Sequence, residues 1–316
     1  MKKALAIAGT AIIAGVLAMQ PVAANAACSN QAIWTENGDN GEIKKWSTDG
    51  TLLTTLQTTI SGAGDIGVSS DLTQILAFRG TDLEGFNSTT GALESTHAVS
   101  GGSFGGGGAG VGVIAGGKLL TDAEGPGLSA VIVSVDLTTY LATDWADLAD
   151  ADASVPVGLR GGSWDIAGDI LQLPDNDILV VAQNETVYAD GVILLRINKT
   201  TPTQITAVGV VAISDDSVWG AARAGDDIFL ATEQGNIYQI ASVPTAASLD
   251  PVAKTAIVTG GGSFWGAAGS NDSTEGNASC TLADTGLDLT ATGIVAFSVI
   301  AAGGIALLIR RRTAQG

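Results

Sequence analysis

The sequence has little of what most catalytic and metal centres are made from. Among 316 residues there is one histidine, His97, and there are two cysteines, Cys28 and Cys280. A single imidazole with no cysteine pair beside it supports neither a histidine-based zinc site nor a Ser-His-Asp constellation. Its place near the end of a predicted outer strand reads as an exposed strand residue. Positive charge is scarce as well, with 14 Lys and Arg against 32 Asp and Glu. No basic stripe exists to neutralise phosphates, which argues against nucleic acid as a partner. Long amphipathic helical periodicity is also missing. What the chain has instead is 43 glycines, with Thr, Ser, Val and Ile in short apolar runs every ten or so residues, an all-β pattern.

The two ends differ from the body. Lys2 and Lys3, an apolar run and Ala24-Asn25-Ala26 make residues 1–26 a secretory signal peptide, absent from the mature protein. Acylation at Cys28 is disfavoured because Asn25 stands where a lipobox carries a Leu-like side chain. Near the other end, Leu289 to Ile309 is an uncharged stretch of 21 residues. At about 1.5 Å rise per residue it matches a hydrocarbon core of roughly 30 Å. Arg310, Arg311 and Arg312 follow and favour the cytoplasmic side, so the body is expected outside. The leader holds Lys2 and Lys3, and residues 286–316 hold Asp288 and the three arginines, which leaves the body 9 basic against 31 acidic side chains. In an oxidising compartment Cys28 and Cys280 are most simply one disulfide. Its loop of about 250 residues would stabilise by roughly 5 kcal/mol at most. The alternative is two unrelated buried thiols.

Two features repeat in phase along the body. One is a turn after an apolar residue: Trp46-Ser47-Thr48-Asp49-Gly50, Phe86-Asn87-Ser88-Thr89-Thr90-Gly91, Val135-Asp136-Leu137-Thr138-Thr139, Ile197-Asn198-Lys199-Thr200-Thr201-Pro202 and a degenerate copy at Ile240-Ala241-Ser242-Val243-Pro244. The second is a landmark at Asp65-Ile66-Gly67, Gly110-Val111-Gly112, Ser163-Trp164-Asp165, Val218-Trp219-Gly220 and Phe264-Trp265-Gly266. Apolar runs follow the first four landmarks at offsets of 9, 8, 14 and 9 residues. The fifth has none, whereas three strand-like pieces, Ala32 to Thr35, Glu42 to Trp46 and Thr51 to Gln57, lack a landmark before them.

Joining the two incomplete units gives five, which predicts a five-bladed β-propeller of four-stranded blades with its seam beside Cys28 and Cys280. Two stacked immunoglobulin-like sandwiches leave the phased landmarks unexplained. Glycine beside the landmark residue fits crowded backbones around a channel, and Trp219 and Trp265 are expected to pack between blades. The glycine run from Gly101 to Gly117 lacks the Lys-Ser/Thr and helix of a phosphate loop and reads as an inter-blade connection.

Leu282-Ala283-Asp284-Thr285-Gly286, then the apolar span, then the arginines, resembles the cell-wall sorting signal of Gram-positive surface proteins. Ala283 stands where the commonest version has Pro and is similar to the variant read by some actinobacterial sortases. The resemblance covers about the last 35 residues plus the leader. It implies that a sortase cleaves between Thr285 and Gly286 and links Thr285 to peptidoglycan, so that the chain meets the membrane only before sorting. The expected organisation is a signal peptide (1–26), a propeller ectodomain (27–275), a stalk with the LADTG motif (276–286), and a transmembrane helix with a basic cytoplasmic tail (287–316). A plain single-pass membrane protein is the alternative.

For the ectodomain the expectation is a binding, adhesion or structural role toward an unknown extracellular ligand, without a catalytic centre, cofactor or metal. The runner-up is a glycan-acting enzyme using Asp65 and Asp165 as paired carboxylates, against the plainer reading that both satisfy backbone donors. Acidic turns at Asp39-Asn40-Gly41-Glu42, Asp175-Asn176-Asp177 and Asp226-Asp227 do not match a spaced calcium loop and read as turn chemistry.

Overall fold

The computed structural model describes residues 31–60, 64–106, 110–123, 131–214, 216–240, 242–270 and 272. The leader, both cysteines, the sorting motif and the apolar span lie outside the described residues. Among the described residues no helix is long and apolar enough to cross a membrane.

Among the described residues, twenty strands form five antiparallel sheets of four. Strands β1 (Ala32–Asn37), β2 (Glu42–Ser47) and β3 (Leu52–Gln57) come first and wait for a partner. The first whole blade is β4 (Ile66–Val68), β5 (Gln74–Arg79), β6 (Asp82–Asn87) and β7 (Leu93–Ala98). The second is β8 (Val111–Ile114), β9 (Lys118–Asp122), β10 (Val131–Asp136) and β11 (Ala142–Asp147). The third is β12 (Asp165–Gln172), β13 (Ile178–Asn184), β14 (Tyr188–Ile197) and β15 (Ile205–Ala212). The fourth is β16 (Val218–Ala224), β17 (Asp227–Thr232), β18 (Ile237–Ile240) and β19 (Thr255–Val258). The last strand, β20 (Gly266–Gly269), pairs with β1 and completes the closing blade in the order β20-β1-β2-β3. The inner strands β4, β8, β12, β16 and β20 each touch the next, and β20 touches β4, so the ring is closed. The expected five-bladed propeller, with its seam between the first and last strands, is the observed fold.

Five hydrophobic clusters fill the spaces between blades. Ile33 packs with Phe229 of the fourth blade, while its neighbour Trp34 packs with Ile66 and Ile75 of the first. Successive residues of a strand point to opposite faces, and here both faces are covered, so the middle strands read as continuous apolar runs such as Ile178 to Val181. The recurrent turn also has a physical cause. Asn87 Oδ1 accepts from Thr89 N and Thr90 N at 2.9 and 3.0 Å. Asp136 Oδ1 does the same with Thr138 N and Thr139 N, and Asn198 Oδ1 with Thr200 N and Thr201 N. One side-chain oxygen thus caps the hairpin between the third and fourth strands of three successive blades.

Close approach around the axis requires glycine at particular points. A Cβ on Gly112 of β8 would stand 1.9 Å from the Ile170 carbonyl oxygen of β12. The outer edge of the third blade is covered by the connection after β18: Val252 N donates to Val210 O at 2.8 Å and Ser248 N to Ala207 O at 3.0 Å. That cover removes an open edge of the kind that invites pairing with other chains.

Candidate functional site

Carboxylates stitch the inner strands together. Asp65, just before β4, is buried, and its Oδ1 accepts from Ile66 N at 2.8 Å and from Ala267 N of the closing blade at 3.0 Å. Its Oδ2 accepts from Val111 N of the second blade at 3.2 Å. One side chain therefore ties three blades at the axis, in keeping with the expected role of satisfying backbone donors.

The expected pairing of Asp65 with Asp165 is not what the structure shows. Asp165 is exposed at the first position of β12, and the carboxyl that meets Asp65 belongs to Asp169, which is wholly buried. Between Ile166 and Ile170 the register with β13 shifts: four steps along β12 pass against two along β13, from Ala182 to Val180. This bulge carries Asp169 off the regular pleat toward the axis, where Oδ1 accepts from Val111 N at 3.0 Å and Ile170 N at 2.6 Å. Burial, and then the charge of Asp169, push the Asp65 carboxyl well above its ordinary range against three backbone N–H groups that pull it down. Burial, and then the charge of Asp272, do the same to Asp169. Asp169 Oδ2 accepts no N–H, and burial beside a like charge favours the neutral form at this pair.

Further along the axis, Asp272 Oδ1 accepts from Arg223 N of β16 at 2.5 Å, and its Oδ2 accepts from Gly269 N. Burial raises this carboxyl to about 7. The Arg223 guanidinium beside it is buried, lowered by desolvation, and leaves Nε and Nη2 without acceptors. Glu36 on β1 is wholly buried and both its oxygens lack donors; burial, with the charge of Asp39, pushes it up to about 8. Among the described residues no group of three or more His, Cys, Asp or Glu is placed to hold a metal ion.

One solvent-facing feature of the ring is aromatic. Trp219 and Trp265 do pack against one another between the fourth and closing blades, as expected, but Trp219 stays 38% exposed. It occupies a second bulge, between Val218 and Gly220, where β16 has one residue more than β17. The two indoles stack at 5.8 Å between centroids and 22° between planes. The inner side of Trp265 lies on Gly38, where a Cβ would come within 3.1 Å of the ring. Its Nε1 donates to Ser263 Oγ at 3.0 Å. Ser263 lines an open groove of about 650 Å³ that runs from the third blade across the fourth, walled by Asp190, Asp216, Ser217, Glu233 and Gln234. Asp216 is held in the wall: its Oδ1 accepts from Ser217 N and Gln234 N, and its Oδ2 from Asn236 Nδ2 at 3.0 Å.

The remaining sequence candidates resolve into structural roles. His97 is half-buried rather than exposed, stacked on Tyr140 at 3.9 Å and 7° across the first and second blades. Asp175 and Asp177 pair with Arg196, the latter through Nε at 2.9 Å. Asp227 Oδ2 accepts from Gln239 Nε2 at 2.7 Å. Trp164, taken as the landmark of the third blade, is buried ahead of β12 and donates from Nε1 to Asp152 Oδ1 at 2.9 Å. Cys28, Cys280, Leu282, Ala283, Asp284, Thr285 and Gly286 lie outside the described residues.

No protein-family model matches the chain, and no curated protein matches it. Solved structures do. The chain is similar to the Dos1 propeller at 9% identity and a TM-score of 0.35, over 69% of this chain and 56% of that one. It is similar to a chain of a nidogen/laminin complex at 10% identity and a TM-score of 0.42, over 78% and 83%. A third is the Cps50 (Swd1) β-propeller domain of Myceliophteria thermophila, at 13% identity and a TM-score of 0.36, over 72% and 68%. The chain thus spans little more than half the length of the Dos1 propeller chain. These likenesses concern fold alone.

Proposed function

We propose that this is a secreted protein, anchored to peptidoglycan by a sortase at Thr285, that displays its propeller as a binding module. The anchor rests on the order of leader, LADTG motif, apolar span and arginines in the sequence. The observation that carries binding over catalysis is the state of Asp65. Its carboxylate accepts three backbone N–H groups from three blades and is fully buried. A general acid or nucleophile must reach its substrate, and Asp165, the partner that an enzyme would use, stands apart from it. The outer faces of the ring are then left to do the work, and a Cys28–Cys280 bridge would lock the seam.

The test is the intact mass of the protein released from purified walls by a peptidoglycan hydrolase. A species from about Ala27 to Thr285 carrying a wall fragment, two mass units lighter before reduction than after, is the expected result. A full-length species found only in membranes would overturn the anchor.

A further inference from the structure

The Trp219–Trp265 pair stands outside the lining of the groove and is joined to it through Ser263, which lines the groove and accepts from Trp265 Nε1; an aromatic platform thus adjoins a largely polar wall. The bulge on the inner strand β16 turns a large apolar side chain toward solvent. Trp219 lies on Trp265, and Trp265 lies on Gly38, so the platform is backed by the closing blade and held through Ser263. The groove at about 650 Å³ is within the size range of small-ligand sites. Its wall mixes carboxylates, hydroxyls and an amide and contains no cation. An anionic ligand would meet Asp190, Asp216 and Glu233 and be repelled. An apolar ligand would strand those groups without partners. A ligand with one apolar face and an edge of hydroxyls that both donate and accept matches platform and wall together.

We infer that this groove binds a short neutral oligosaccharide, one sugar ring stacked on the exposed part of Trp219 and its hydroxyls bonded to the wall formed by Ser217, Glu233 and Ser263. The inference rests on reading the propeller as a binding module, and it is independent of the anchor. A cationic peptide is the competing ligand chemistry. Asp216 is already engaged by three donors of its own wall, so a cation would pair directly only with Asp190 and Glu233, with the charge of Asp216 adding attraction at longer range.

The experiment titrates the full chain, in a detergent without a sugar headgroup, with chitotriose, cellotriose, maltotriose and mannotriose, and separately with hexalysine. It follows tryptophan fluorescence and, for parent and variants alike, the heat of binding by calorimetry, which does not depend on the indole that Trp219→Ala removes. At least one trisaccharide is expected to shift the emission saturably. Trp219→Ala should weaken that binding by roughly tenfold or more, about the worth of one buried stacking contact. Glu233→Gln, which keeps the hydrogen-bonding shape and removes the charge, should change it by no more than about threefold, a fraction of a kcal/mol. Glu233→Gln should keep the parent's unfolding midpoint because the side chain is exposed, whereas Trp219→Ala gives up its stacking on Trp265 and is required only to remain cooperatively folded at the titration temperature. Emission insensitive to all four sugars, or a response that survives Trp219→Ala, overturns the site. Saturable binding of hexalysine alone, lost in Glu233→Gln, overturns the sugar while leaving the binding module standing. Retention of purified wall polysaccharide, compared with that of host-cell glycans, then separates the two sources of the sugar.

Discussion

Glu36→Gln isolates the cost of burying one carboxyl in the seam between the closing blade and the first. Glu36 sits on β1, wholly buried, with neither oxygen bonded to a donor, and burial together with Asp39 raises it from 4.5 to about 8. Between those values the folded state keeps a proton that the unfolded chain has lost. Stability is therefore whole below pH 4.5, falls as pH rises through the interval, and reaches its floor above 8. Each pH unit costs about 1.4 kcal/mol, so the ceiling over the interval is about 5 kcal/mol. Glutamine fills the same volume and does not ionise. Urea unfolding of residues 27–285 at pH 4, 5, 6, 7 and 8 should show the variant gaining on the parent at each step. The raised carboxyls of Asp65, Asp169 and Asp272 act in the same direction, but they are common to both proteins and cancel in the difference. A difference that stays flat with pH to within about 1 kcal/mol, less than the slope expected for one pH unit, would refute the reasoning, since Glu36 would then be charged and solvated in the native state.

Other substitutions test the axis and the turns. Asp65→Ala takes the side-chain acceptor from Ile66 N and Ala267 N and leaves Val111 N with Asp169 alone, and should cost about 2 kcal/mol or more in urea unfolding, whereas Asp165→Asn, at an exposed position, should stay within about 0.5 kcal/mol. Gly112→Ala places a methyl group against the Ile170 carbonyl and should lower the thermal midpoint strongly, because two inner strands must part to admit it. Asn198→Ala removes the oxygen that holds Thr200 N and Thr201 N and should cost about 1 kcal/mol. Faster amide hydrogen exchange confined to the β14–β15 hairpin is expected alongside that loss.

Much of this molecule was legible along the chain. The Asn/Asp-x-Thr-Thr turns are local, since one oxygen reaches N–H groups two and three residues on, and they recur where the third strand meets the fourth in three successive blades. The unpartnered strands at one end and the unpartnered landmark at the other required closure, because a blade needs four strands. Asp169 had a trace as well. The apolar run of the third blade begins 14 residues after Trp164 where the others follow at 8 or 9, and nine residues before Ile178 stands Asp169.

What only the tertiary structure decided are the faces. A bulge is a mismatch between two paired strands, and no residue of β12 or β16 announces how many residues of β13 or β17 will oppose it. Those two mismatches send Asp169 into the axis and Trp219 out to solvent. The burial of Glu36 is decided in the same way: it follows Ala32 and Trp34 in an alternating strand, and it is enclosed only because the last strand of the chain arrives to pair beside it and the first blade covers that face. The strand positions and the count of blades come from spacing and turn chemistry, which are local. Charge state and exposure at the axis come from which blade meets which, and that depends on a ring closed between residues more than 200 positions apart.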